Sequence, residues 1–238
     1  MPRPTVLDPL FRSLRSIKGV GPQLGALLNR FFGAEGQDAI ALDLLMHMPS
    51  GTIDRRKMEG IAATFHNQIA TVKIHVDRHV PPPPGKRHLP HRVKTHDETG
   101  ELDLVFFHAK GNWVEKALPV GEERFVSGSI GFFQGQKQIT HPDFIVTPSE
   151  FEDMPLVEPV YPLTQGLSSR NMVKLSREVL GLLPDLPEWI PAERRASFKW
   201  PSFHAAMHAA HAPETPPDAE LWSPARMRLA YDEYLAGQ

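Results

Sequence analysis

The chain has 238 residues, 41% of them apolar, a formal net charge of −2 and no cysteine. A charge this close to zero excludes a general affinity for nucleic acid, so any such contact needs a local basic patch. The missing cysteines exclude disulfides and thiolate metal sites and fit a reducing compartment. The first residues, MPRPTVLDPLF, hold no long apolar stretch, and no apolar run reaches the ~20 residues that span a bilayer. The expectation is a cytoplasmic, monomeric protein without a membrane partner.

Three regions follow in chain order: a helical one at 1–60, a strand-rich one at 61–150, and a linker with further helices at 151–238. In the first, Leu10, Phe11, Leu14 and Ile17 recur at helical spacing and predict a helix over 8–17. Leu24, Leu27, Leu28 and Phe31 predict a second over 22–32, and a third is expected over 38–46. The turn between the first two reads SIKGVGPQ, a helix-hairpin-helix-like pattern. Its glycines, Gly19 and Gly21, allow a tight turn, and free N–H groups at the next helix start can hold a phosphate oxygen. Lys18, Gly19 and Gly21 are therefore candidate accessory DNA contacts; an ordinary capped helix pair is the alternative.

In the middle region Ala70, Val72, Ile74 and Val76 alternate with polar residues, the period of a half-buried strand. PPPPGKRHLP interrupts it, HRVKTH resumes it, and DETG makes a turn in which Gly100 suits a left-handed position. ELDLVFF is the next strand, residues 111–118 a short helix, and RFVSGSIGFF and KQITH a strand pair joined by QGQ. Five short strands with a helix between the third and fourth predict an OB-like barrel, so the fold class is α+β. The segment 78–96 carries Arg78, Lys86, Arg87, Arg92 and Lys94 and no acidic residue. Barrels of this kind grip nucleic acid with that loop, although taken in isolation a solvated proline-rich loop is the better reading. Alternation sends Leu102, Leu104 and Phe106 to one face and leaves Phe107 for display at the strand end, near Trp113. The two aromatics, with Lys110 between them, are candidates for stacking on bases; satellite core is the alternative.

In the last region a helix is expected over 168–183 with a serine cap, and another after Ser223 with Pro224 in its first turn. His204, His208 and His211 share one helical face, which reads as polar; with no HExxH and no cysteine, no metal site is expected. Neither a phosphate-binding GxxxxGK[ST] loop nor a nucleophile–base set occurs, so no catalytic residue is assigned.

Seven stretches occur together and in order: GVGP, DLLMHMPSGTIDRR, DETGELDLVFF, LPVGEERFVSGSIGFFQGQKQITHPDF, PVYPLTQGLSSRNMVKL, WPSFHAAMHAAH and SPARMRLAYDEYLAGQ. In these the chain resembles the N-terminal part of the RecG family of ATP-dependent branched-DNA helicases. The resemblance implies that the barrel is a wedge domain at a DNA branch point, with Phe107 and Trp113 as the stacking aromatics. It departs at Lys18, where the family usually has proline, and at Gln23, where lysine is common. It implies motor lobes after Gln238 that would bring ATP and Mg²⁺; no cofactor is assigned to the chain itself, which alone should not hydrolyse ATP. The implied role is recognition of stalled forks and Holliday junctions in recombination and repair. A stand-alone single-strand binding module and a non-catalytic protein-interaction scaffold remain the alternatives.

Overall fold

A computed structural model describes residues 3–33, 37–56, 60–86 and 88–237. The chain divides into two compact units, one made of Met1–Asp54 and Val157–Gln238, the other of Arg55–Leu156.

The first unit begins with two 3-10 turns, Thr5–Phe11 and Leu14–Ser16, where the spacing predicted one α-helix over 8–17. The cause is a tertiary pairing. The carbonyl of Arg12 accepts from the Ala41 N–H at 2.9 Å, and the Leu14 N–H donates to Ala39 at 2.8 Å, which holds Arg12 and Ser13 extended. Leu10, Leu14 and Ile17 are buried as expected, whereas Phe11 is exposed beneath the Arg3 guanidinium. Helix α1 (Pro22–Phe32) starts on a proline, whose missing N–H costs nothing at that position. Helix α2 (Ala41–Met46) starts later than the expected residue 38, its first turn held by the Asp43 carboxylate on the Ile40 N–H. Strand β1 (Gly51–Asp54) follows.

The second unit is the barrel: β2 (Ile69–Val80), β3 (His91–His96), β4 (Glu101–Phe106), helix α3 (Trp113–Ala117), β5 (Glu123–Phe133), β6 (Gln136–Thr140) and β7 (Phe144–Val146). Among the described residues five strands close in the order β2-β3-β4-β6-β5 and back to β2, and β7 lies outside on β5. Every pairing is antiparallel except β4 with β6. β2 makes closure possible. Its first half pairs with β5 and its second with β3, and the register shifts between Val76 and Arg78, where a bulge bends the strand. Val72, Ile74, Val76, Leu102, Leu104, Phe106, Val126 and Ile139 fill the interior, and Val114 and Leu118 from around α3 pack against them.

The turn after β3 corrects one expectation. Gly100 does not take a left-handed backbone. The Asp97 carboxylate instead accepts the Thr99 hydroxyl (2.6 Å) and the N–H groups of Thr99 (2.7 Å), Gly100 (2.9 Å) and Ile61 (2.7 Å), while the Asp97 N–H donates to the Gly100 carbonyl (3.0 Å). Burial pushes that carboxyl upward, but these bonds outweigh it and hold its pKa below the usual value. The β5–β6 hairpin does use two left-handed residues, Gln134 and Gly135, which match the strand twist. Lys137 then donates to the carbonyls of Ile61 (2.6 Å), Ala62 (3.0 Å) and Thr64 (2.7 Å), tying the turn at 61–64 to β6. Lys137→Met should lower unfolding free energy by about 1.5 kcal/mol, because bonds to a charged donor are lost together; urea melts would show it.

The chain returns to the first unit through β8 (Val157–Val160), which pairs antiparallel with β1. Helices α4 (Ser169–Leu180), α5 (Ala192–Phe198), α6 (Phe203–His211) and α7 (Pro224–Ala236) complete it. Ser168 caps α4 through its hydroxyl, as predicted, and Ser223 caps α7 in the same way. Leu14, Leu28, Leu45, Tyr161, Met172, Val179, Met207 and Leu229 share one core, so the two ends of the chain pack together. His211 lies inside that core rather than on a polar face. Its Nε2–H donates to the Leu45 carbonyl (2.8 Å), which leaves Nδ1 to accept the Tyr161 hydroxyl (2.9 Å). No described helix is long and apolar enough to cross a membrane.

Candidate nucleic-acid interface

One end of the barrel carries the long connection 81–90, between β2 and β3, and the loop 107–112, between β4 and α3. β4 is buried on both faces from Leu102 to Phe106, and Phe107, just past its end, is 40% exposed. Its position is set: the Phe107 N–H donates to Nε2 of His141 at 3.3 Å, and the two rings lie 6.2 Å apart. His108 and Gly111 both take left-handed backbone, which folds the loop back tightly. Trp113 opens α3 with 45% of its surface exposed and packs edge-to-face on buried Phe106 at 5.3 Å. One flank of the indole is thus anchored, and the rest is open.

The two loops frame a cleft lined by Pro82, Leu89, His91, His108, Lys110 and Gly111. His91 is buried at its base. His79 Nε2–H donates to the Leu118 carbonyl (2.8 Å), so its Nδ1 accepts from His91 Nε2 (2.9 Å). Burial holds the His91 pKa below the usual value, Glu115 opposes that, and His79 adds to it. These histidines support the loop bases, a role no local sequence pattern signals.

The basic candidates separate into two groups. Lys86 and Lys110 are exposed on the two loops. Arg87 lies outside the described residues. Arg92 and Lys94 are instead committed to the barrel wall. Lys94 Nζ is 2.7 Å from the buried Asp103 carboxylate and Arg92 Nη1 is 3.6 Å from it. Arg92 also donates to Gln138 Oε1 (3.3 Å) and lies over the Phe133 ring at 5.1 Å. Removal should therefore act differently on the two groups. Lys110→Ala is expected to reduce the slope of log affinity for DNA against log salt by about 1 and to leave melting unchanged. Lys94→Ala is expected to lower the melting temperature, since it strips a partner from buried Asp103; paired melts and salt titrations check both.

Sequence reasoning missed Phe132 and Phe133, adjacent and both exposed at the end of β5. Two aromatics in a row on a strand cannot both face the core, and that was the available signal.

In the other unit, Lys18 is exposed, and Gly19 takes left-handed backbone while Gly21 is extended. A side chain at Gly21 would meet nothing within 4 Å, whereas at Gly19 it would approach the Lys174 side chain. The turn thus demands one glycine, not two.

This barrel geometry has known counterparts. The family model of the RecG wedge domain matches residues 13–183. The chain belongs to the RecG wedge family. Among relatives, the ATP-dependent DNA helicase RecG of Bacillus subtilis is 27% identical over 229 residues, 95% of this chain and 31% of the relative. That of Mycobacterium bovis is 25% identical over 253 residues, 89% of this chain and 33% of the relative. This RecG-type chain thus spans about a third of the length of the curated relatives it matches. A solved structure of RecG bound to a three-way DNA junction has the same fold, with a TM-score of 0.72 at 24% identity over 94% of this chain and 30% of that one.

Proposed function

We propose that this chain is the DNA-recognition part of a RecG-type ATP-dependent DNA helicase and that its barrel engages branched DNA by shape, phosphate contact and base stacking. The observation that carries the reading is the pair of exposed, positioned aromatics, Phe107 and Trp113, at the barrel end that also bears Lys86 and Lys110. Aromatic faces stack on any unpaired base, and lysines track phosphates without reading sequence. Such a surface suits a branch point, where duplex and unpaired strand meet. The substrates in this reading are stalled forks and Holliday junctions, in recombination and repair in the cytoplasm. Motor lobes elsewhere in the longer protein supply ATP and Mg²⁺ chemistry; this part works as a monomer, Lys18 and the Gly19 turn adding an accessory contact.

Fluorescence anisotropy with a three-way junction, a linear duplex and a single strand of equal length tests this. Preference for the junction supports the reading; equal affinity for all three overturns it. A second reading, single-strand binding, is favoured by Phe132 and Phe133, which add stacking area at the β5 end. It predicts that the single strand displaces the junction, with a steep salt dependence.

A further inference from the structure

On the outer wall of the barrel, toward the Asp97 turn, three side chains converge that the DNA-binding reading does not use. His75 in β2 and His96 in β3 are direct cross-strand partners. Ile74 and Val76 point into the barrel and His75 out of it, and Asp77, at the bulge, reaches His96 on that same outer side. Nδ1 of His96 lies 2.8 Å from Oδ1 of Asp77, and Nδ1 of His75 lies 3.6 Å from the same oxygen. The two rings are 5.2 Å apart. One ligand atom from each residue falls within 4.8 Å of the other two.

We propose that His75, His96 and Asp77 bind a divalent transition-metal ion, with zinc the best match. The hydrogen bond from His96 to Asp77 accounts for two of the three atoms. It does not account for His75 Nδ1, which is shielded from solvent and has no hydrogen-bond partner. A metal would satisfy that lone pair. Tetrahedral zinc, at about 2.0–2.1 Å from each nitrogen or oxygen, separates its ligands by roughly 3.3 Å. The observed spacings of 2.8 and 3.6 Å bracket that value, so small side-chain rotations complete the triad. Two imidazoles and a carboxylate select zinc and its borderline neighbours over calcium or magnesium, which prefer all-oxygen sites. The surroundings are favourable to a cation. Glu123 stands opposite His75 on β5, and Glu101 opposite His96 on β4, so the cross-strand row reads Glu–His–His–Glu. Of the cations nearby, Lys73 is drawn away by Glu123 at 2.8 Å and Lys94 by Asp103 at 2.7 Å, while Arg78 follows Asp77 and lies opposite Lys94. All three proposed ligands are partly exposed, so the ion can enter from solvent, and a water completes the fourth position. Bound there, the ion fastens β2 to β3 beside the bulge that closes the barrel.

The test is a cobalt(II) titration of the full chain, read by visible absorption, with zinc then added as competitor. The expected result is one equivalent of cobalt in a low-symmetry site, displaced by zinc, and a melting temperature raised by zinc. His75→Ala and His96→Ala should each weaken binding by more than the ~10- to 100-fold that loss of an outer hydrogen bond costs. Asp77→Asn, which keeps the shape of the side chain, should weaken it too, and far-ultraviolet dichroism confirms that each variant is folded. His79→Gln, in the separate His79–His91–Glu115 cluster, should bind as the parent does. The proposal is overturned if the parent binds no cobalt or zinc, if the His75 and His96 variants bind equally well, or if only His79→Gln loses the metal.

Discussion

Phe107→Ala and Trp113→Ala are each expected to weaken junction binding by about 5- to 150-fold, the equivalent of ~1–3 kcal/mol for one lost base stack. Both rings are open on one side. Phe107 follows a strand whose inward residues fill the barrel, so its removal leaves Leu102, Leu104 and Phe106 in place. Trp113 differs because its edge rests on Phe106. Its loss should also lower stability by about 1 kcal/mol, the typical value of such an aromatic contact. Affinity for linear duplex should change far less than affinity for the junction, since paired bases offer no free face. Anisotropy on both substrates, with melting curves for each variant, separates the effects. A variant that no longer melts cooperatively would show its ring to be core.

The second large effect is acid sensitivity in the helical unit. His211 is fully buried, and burial pushes its pKa down from 6.5 to about 4, against the upward pull of its bond to the Leu45 carbonyl. Because the folded value is the lower one, the unfolded chain takes up the proton first as pH falls. The stability tied to neutral His211 is thus present above pH 6.5 and drains away towards pH 4. Between about pH 7.5 and 4.5 the loss should be roughly 2–3 kcal/mol. Carboxylates such as Asp97, whose pKa is lowered, add losses at the acid end of the same range. His211→Gln, which can still bridge Tyr161 and Leu45, should be less stable at pH 7.5 and show a flatter pH profile. Urea unfolding of both proteins at the two pH values gives the difference.

Elements governed by local chemistry were legible in the sequence. β3 coincides with HRVKTH because alternation runs between the proline-rich segment before it and the DETG turn after it. Ser223 with Pro224 likewise marks the start of α7. Parity along β4 groups Phe107 with Asp103 and Val105, which are buried, so its exposure comes from the strand ending at Phe106. What was not legible depends on partners distant in sequence. Arg12 and Ser13 stay extended because residues 39–41 hold them, which no helical spacing reveals. Arg92 and Lys94 look free until the register places Asp103 beside Lys94. His211 matches the spacing of two surface histidines, yet it faces the core because Tyr161 and Leu45 supply its hydrogen bonds. The same holds for His75 and His96, 21 positions apart in the chain and adjacent only once β2 and β3 pair.

The two-stranded ribbon of β1 and β8 has a consequence for synthesis. It sets Asp54 opposite Val157, so the chain leaves and re-enters the helical unit at neighbouring points. All of Arg55–Leu156 emerges from the ribosome before the partner of β1 exists. The barrel, whose strands are all present by then, can fold first. Residues 1–54 must wait, with Leu14, Leu28 and Leu45 lacking the helices that later cover them. A finished barrel between the two halves holds the ends of a long loop close together, so the late pairing avoids much of the closure entropy of about a hundred free residues. The inserted domain would thus serve the nascent chain as a scaffold for the unit whose two segments flank it in sequence.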